Sequence, residues 1–175
     1  MSKRAIGIDI GGTGIKGAIV DLKKGKKIRE IFGGPETEGI EFSKDGKKLY
    51  FTRWKHPDNL GKDKNQDIWF SKLKDDKSWS KAELFSRPIN NEENNAVCGI
   101  SLNGKTILLN NVYGKDGKME KGVSVSYLLR TGDFSFPKPL QILNFKNKSE
   151  FSEYSLAPNG KVLLMTTEMK DSYGG

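Results

Sequence analysis

The N-terminal stretch combines a carboxylate, a glycine-rich turn and a lysine within a few residues. Asp9 precedes the turn Gly11 to Gly14, Lys16 follows it, and short apolar runs flank both sides. This pattern predicts a β-hairpin. Backbone N–H groups of a glycine-rich turn can come close to phosphate oxygens, so phosphate binding is the first chemistry to consider. The alternative is a plain hairpin turn that binds no ligand.

Residues 8–17, Ile-Asp-Ile-Gly-Gly-Thr-Gly-Ile-Lys-Gly, resemble the first phosphate motif of the ROK-family sugar kinases, especially the polyphosphate and ATP glucokinases. The resemblance implies ATP or polyphosphate with magnesium as cofactors, with Thr13 on the terminal phosphate and Asp9 on Mg²⁺ through water. It makes phosphorylation of glucose the alternative function of the chain. The cofactor-binding residues would be Asp9, Gly11, Gly12, Thr13 and Lys16.

The rest of a ROK kinase is missing from the sequence. Such an enzyme usually has a zinc site of one His and three Cys, whereas His56 and Cys98 are the only residues of their kinds here. No second phosphate motif follows, and a lone hairpin supplies little of the positioning that phosphoryl transfer needs. We therefore expect no catalytic residues, no metal site and no cofactor, and we interpret His56 as an exposed loop residue.

The rest of the chain is organised around a repeat. The stretch Glu36 to Arg53 recurs at residues 94–110 and 150–166, each time with an Asp-Gly or Asn-Gly turn followed by Lys. The turn glycines are Gly46, Gly104 and Gly160, about 58 and about 56 residues apart. Asx-Gly between apolar runs is typical of a type I′ hairpin turn, in which both central residues have positive φ.

Each repeat offers four short strands in about 57 residues, without helical periodicity. Four-stranded units at a fixed period are typical of propeller blades. The predicted fold is therefore all-β: a partial, open β-propeller of about three four-stranded blades after an N-terminal β-meander. The expected boundaries are 1–33 for the meander, a kinase-like phosphate hairpin or partial blade, and 34–91, 92–147 and 148–175 for the blades, the last incomplete.

The segments Phe42 to Phe51, Asp67 to Trp69 and Trp79-Ser80 resemble the WD-repeat-like β-propellers of bacterial envelope proteins, which include Tol-system and OmpA-associated propellers. The resemblance covers residues 36–175 and implies a non-catalytic binding or scaffold module whose partner is a protein or envelope component. Relatives of this kind are periplasmic or envelope-associated. The two different signatures meet near Gly33, which suggests a chimeric, truncated or artificial chain.

Composition limits the remaining function classes. The net charge is +8, yet 25 of the 30 basic residues are Lys and only 5 are Arg, which makes a nucleic-acid partner unlikely. The single cysteine excludes an internal disulfide framework. No apolar run reaches the ~18 residues of a membrane span, and no signal peptide is visible, so we expect a cytoplasmic location for the chain as written.

Two further expectations follow from the propeller. Glu36, Asn94 and Glu150 share one register, about ten residues before each turn glycine, and so would lie around one mouth of the central channel or merely solvate strand ends. An open propeller also leaves apolar sheet faces at its ends, which favours self-association. The residues expected on these faces are Tyr50, Leu108 and Leu164.

Overall fold

The computed structural model describes residues 4–11, 14–23, 26–32, 37–43, 45–145, 152–157, 159–168 and 170. Within these ranges every regular element is a β-strand and all strand pairs are antiparallel. No helix that could span a membrane occurs among these residues. The predicted all-β class is confirmed.

The thirteen strands within the described ranges form four sheets in which neighbours along the chain pair with one another. The N-terminal sheet holds β1 to β3, blade 1 holds β4 to β7, blade 2 holds β8 to β11, and blade 3 holds β12 and β13. Their bounds are Arg4–Gly11, Gly14–Asp21, Lys26–Phe32, Thr37–Phe42, Lys48–Trp54, Gln66–Lys72, Glu83–Leu84, Val97–Ile100, Thr106–Tyr113, Met119–Tyr127, Lys138–Pro139, Glu153–Leu156 and Leu163–Thr166.

The three blades stand side by side through their first strands, and the N-terminal sheet joins them through β2. β4 of blade 1 lies against β8 of blade 2, β8 lies against β12 of blade 3, and β2 of the N-terminal sheet lies against β4. We call β4, β8 and β12 the inner strands. The Asx-Gly turns define one end of the blades, the turn end, and the connections 55–65 and 85–96 lie at the opposite loop end. This is the open propeller arrangement that the repeat predicts.

The hairpin turns are alike in all three blades but differ from the prediction. Positive φ occurs at the glycines, with 63° at Gly46, 66° at Gly104 and 68° at Gly160. Each glycine N–H donates at 2.8 Å to the carbonyl oxygen three residues earlier, so the glycine is the fourth residue of its turn. Asn103 does not share the positive φ that a type I′ turn requires. The turn is therefore a type I turn within a four-residue loop.

Side chains explain why the longer loop is preferred. The Asp45 carboxylate accepts the N–H of Lys47 at 3.0 Å and the hydroxyl of Ser43 at 2.6 Å. Asn103 and Asn159 accept the corresponding N–H at 3.0 and 2.9 Å. An Asx side chain that bonds the backbone two residues ahead stabilises a turn by itself. The repeated Asx-Gly-Lys sequence therefore forms a four-residue loop and not the two-residue hairpin loop.

The second strand of each complete blade is buried on both faces. In β5, Tyr50 belongs to the core between blades 1 and 2, whereas Leu49 and Phe51 belong to a cluster on the opposite face. In β9, Ile107 completes the core with blade 1, and Leu108 belongs to the core shared with blade 3. Burial on both faces is why these strands read as continuous apolar runs.

The predicted equivalence of the blades holds at the strand that follows each turn. Leu49, Ile107 and Leu163 all lie directly opposite the last residue of the preceding inner strand. The expectation of exposed apolar faces is correct for one residue only. Leu164 is 63% exposed, whereas Tyr50 and Leu108 are buried because the next blade covers each of them.

The outer strands are much shorter than predicted. Each repeat predicts four strands, but the fourth strand of the two complete blades is only Glu83–Leu84 and Lys138–Pro139. Two serine hydroxyls replace the missing ladder bonds. Ser80 accepts the N–H of Lys72 at 3.0 Å, and Ser135 accepts the N–H of Tyr127 at 3.1 Å. The side chains thereby satisfy the backbone donors without a longer strand.

Candidate functional site

The kinase-like residues lie in the N-terminal sheet. Asp9 is in β1 directly opposite Lys16 in β2, and Gly11 ends β1 opposite Gly14. Gly12 and Thr13 lie outside the described residues. The backbone register thus fits the predicted hairpin, and phosphate binding by this turn stays a prediction.

Glu36, Asn94 and Glu150 were predicted to share one register before the turn glycines. Of these three, only Asn94 lies within the described residues. Asn94 is exposed at the loop end between blades 1 and 2. Its side-chain oxygen accepts the N–H of Gln66 at 3.4 Å, and its carbonyl oxygen accepts the amide of Asn111 at 3.2 Å. Asn94 thus connects strand ends, which agrees with the structural interpretation of this register.

Residues of the three inner strands and of the strand that follows each of them line a groove of about 580 Å³. We call it the central groove. Gly99 in β8 allows the strands to come this close, because a Cβ atom there would lie 2.5 Å from the Cβ of Leu156 in β12. The lining residues are Glu41, Thr52, Ala96, Val97, Cys98, Asn110, Glu153, Tyr154, Ser155, Leu164, Met165 and Thr166.

One polar position recurs in the groove. Thr52, Asn110 and Thr166 each lie six residues after the turn glycine of their blade, in strands that are otherwise mostly apolar. The Thr52 hydroxyl accepts the N–H of Val97 at 3.3 Å and so joins blade 1 to the inner strand of blade 2. The repeat therefore places three side chains that can form hydrogen bonds in the lining of the groove.

Two carboxylates, Glu41 and Glu153, also line the groove. Glu41 is half-buried, and this burial raises the pKa of its carboxyl group. None of the ion pairs found among the described residues includes either carboxylate. Burial, together with the charge of Glu41, raises the pKa of the Cys98 thiol to about 12, which keeps it protonated near neutral pH. The groove therefore suits binding of a cationic group better than nucleophilic chemistry.

A network of buried polar side chains stabilises the loop end of blade 1. The Asn59 amide donates to the carbonyl oxygens of Arg53 and Asn65 at 2.9 and 2.6 Å, and its oxygen accepts the indole N–H of Trp69 at 2.9 Å. His56 is not the exposed residue that the sequence suggested. It lies 4.5 Å from the Trp69 ring, centroid to centroid, within this loop.

The network continues into blade 2 through Asp67. Its buried carboxylate accepts the N–H of Leu60 at 2.6 Å and the amide of Asn95 at 3.4 Å, and Asn95 in turn accepts the hydroxyl of Tyr113 at 3.1 Å. Desolvation raises the pKa of Asp67 to about 6 against the opposing effects of the Leu60 N–H and of nearby Lys64 and Arg87. These hydrogen bonds connect the loop end of blade 1 to blade 2.

Sequence patterns did not predict the groove residues. Sequence patterns raised Cys98 only for a disulfide or a zinc site, and they gave Glu41, Thr52 and Asn110 no role. An internal alignment on the turn glycines would have found Thr52 and Asn110, because both are polar at the same offset. The inward position of Glu41 depends on how the inner strands approach one another, which no local pattern gives.

Comparison with known proteins bears on the fold. No family model matches the chain, and no curated protein matches it. Among solved structures, TolB from Acinetobacter baumannii is similar with a TM-score of 0.53 at 14% identity, over 97% of this chain and 36% of that chain. The fold is that of a TolB-like β-propeller. This chain spans about a third of the length of the TolB chain, and nearly all residues of this chain are aligned.

Proposed function

We propose that the chain is a non-catalytic module that binds a protein partner in the central groove. The observation that carries the proposal is the pair of groove carboxylates, Glu41 and Glu153, beside the recurring polar positions of three blades. A half-buried carboxylate with a raised pKa is costly to keep ionised unless a cation approaches it. The groove therefore fits a segment that carries Lys or Arg.

Backbone groups support an extended segment as the occupant. Each inner strand is the terminal strand of its sheet among the described residues, so one edge of β4, β8 and β12 has no strand partner. An extended peptide can add to such an edge through main-chain hydrogen bonds, while its side chains enter adjacent pockets. The proposed partner is thus a protein that presents an extended basic segment.

The resemblance of residues 36–175 to WD-repeat-like envelope propellers supports the wider setting of the proposal. We propose that the chain belongs to this functional group and that its partner is an envelope component. The TolB-like fold supports the proposal at the level of architecture. A sugar-kinase function has no comparable support.

The test is a binding titration with a defined peptide. A fluorescein-labelled octapeptide of alternating Lys and Val is titrated with the full chain, and anisotropy is recorded. Replacing both groove carboxylates, E41Q/E153Q, should weaken binding about tenfold, because each charged contact in a partly desolvated site contributes on the order of 1 kcal/mol. The matched control is Glu120→Gln, an exposed carboxylate in β10 away from the groove. Equal affinity of E41Q/E153Q and the control would contradict the proposal.

A further inference from the structure

A second cleft lies at the turn end, between blades 1 and 2, and has a volume of about 680 Å³. We call it the first turn cleft. Its walls carry the exposed side chains of Leu102 and Leu128, and the buried Tyr50 lies in its lining. It is separate from the central groove, because the two share no lining residue.

The charges of the first turn cleft are unbalanced. Lys47, Lys48 and Lys72 line it, and Asp45 is the one carboxylate among its described lining residues, while Lys48 and Lys72 also line an adjoining cavity with Glu83 and Asp133. The Asp45 carboxylate already accepts the hydroxyl of Ser43 and the N–H of Lys47, and the Ser43 bond is the main reason that its pKa is lowered. No ion pair found among the described residues includes one of these three lysines.

Two of the lysines form a like-charge pair. Lys48 in β5 lies directly opposite Lys72 in β6, and both side chains are exposed. Like charges directly opposite each other across an antiparallel pair destabilise the sheet. The Lys72 ammonium also lies 5.1 Å from the ring centroid of Phe70, on the side facing blade 2. A ligand carboxylate would relieve the repulsion.

The next cleft along shows that the fold does not require this pair. Between blades 2 and 3, the second turn cleft of about 330 Å³ has the same position relative to its blades. Thr106 in β9 lies directly opposite Tyr127 in β10, at the positions equivalent to Lys48 and Lys72. A neutral pair therefore occupies the same place one blade later, and the lysine pair is specific to the first turn cleft.

We propose that the first turn cleft binds an acidic peptide segment of a protein partner. Carboxylates of the segment contact Lys48 and Lys72, and an aliphatic side chain of the segment lies between Leu102 and Leu128. A peptide fits better than a nucleic acid because the cleft lining contains no arginine and no exposed aromatic ring on which a base could stack. This site is independent of the central groove, which has the opposite charge.

The experiment uses a fluorescein-labelled octapeptide of alternating Glu and Leu with the full chain. The variant K48T/K72Y, which copies the second turn cleft into the first, should bind about tenfold more weakly. The control K62T/K115T removes two exposed lysines elsewhere and should bind like the unaltered chain. Unchanged affinity of K48T/K72Y would overturn the proposal.

A gain-of-function variant keeps the test independent of folding effects. T106K/Y127K builds the lysine pair into the second turn cleft and should raise the peptide stoichiometry from one to two. An unchanged stoichiometry, with the thermal melt of the variant intact, would contradict the assignment of binding to the pair. Competition by an eight-nucleotide oligothymidine as strong as by unlabelled peptide would overturn the peptide as the ligand class.

Discussion

Blade 1 and blade 2 are alike at the turn end and differ at the loop end. Both have a Ser-x-Asx-Gly-Lys turn and the same pair of serines that joins the third strand to the outer segment. At the loop end, blade 1 has the long connection 55–65, whereas blade 2 has a short turn at 114–118. The shared part builds the sheet, and the variable part is the connection between the second and third strands.

The difference shows where stability comes from in each blade. In blade 1 the long loop folds around buried polar side chains, with Asn59 and Asp67 at its centre. In blade 2 the short turn closes with backbone bonds between Gly114 and Lys118 and with the exposed Asp116. Changes in the first loop should therefore affect stability far more than changes in the second.

The largest effect is expected from Asn59→Ala. This change leaves the buried Trp69 indole N–H without its acceptor and removes the amide that donates to the carbonyl oxygens of Arg53 and Asn65, of which the Asn65 oxygen keeps the N–H of Lys55. The free energy of unfolding should fall by about 2–4 kcal/mol. The matched change in the blade 2 turn, Asp116→Ala, should cost less than about 1 kcal/mol. Urea denaturation measures both, and similar losses would contradict the distinction between the loops.

The buried carboxylate of Asp67 gives the second prediction. Its pKa in the folded chain is raised to about 6 from 3.8, so the unfolded state loses this proton first as pH rises. The contribution of Asp67 to the free energy of unfolding therefore decreases between pH ~4 and pH ~6 and is constant above. In Asp67→Asn this decrease should be absent. The loss of unfolding free energy from pH 4 to pH 7 should therefore be smaller than in the unaltered chain by about 1–2 kcal/mol. Identical pH profiles for the two proteins would rule out a raised pKa.

The hydrogen bonds to the Ser80 and Ser135 hydroxyls should contribute equally to the free energy of unfolding. Ser80→Ala removes the acceptor for the N–H of Lys72, and Ser135→Ala removes the acceptor for the N–H of Tyr127. Each should cost about 1 kcal/mol, with the two losses equal within about 0.5 kcal/mol. The measurement is again urea denaturation of the single variants. A clear inequality would show that the outer segments are not equivalent.

The smallest expected effect concerns the N-terminal sheet. We expect no glucose phosphorylation with ATP or polyphosphate and no change in Asp9→Ala, because the sequence lacks the remaining parts of a kinase site. A coupled assay for glucose 6-phosphate decides this. Turnover that vanishes in Asp9→Ala would favour the kinase function instead.

The repeat made the blades predictable, since each turn glycine and each continuous apolar run follows from local rules. The turn type was wrong because the Ser43 and Asp45 side chains, which no dipeptide rule includes, select a longer loop. The extent of the outer strands was wrong for a similar reason, since Ser80 substitutes for a ladder bond. The central groove was not predictable, because it forms where strands distant in sequence converge and a single glycine, Gly99, controls their approach.

The most direct test of partner binding in the central groove is photo-cross-linking of the Lys-Val octapeptide with a diazirine at its centre, followed by mass spectrometry. The account predicts cross-links at groove residues such as Cys98 and Met165, and their loss in E41Q/E153Q. Cross-links concentrated at the first turn cleft, around Tyr50 and Leu128, would contradict it.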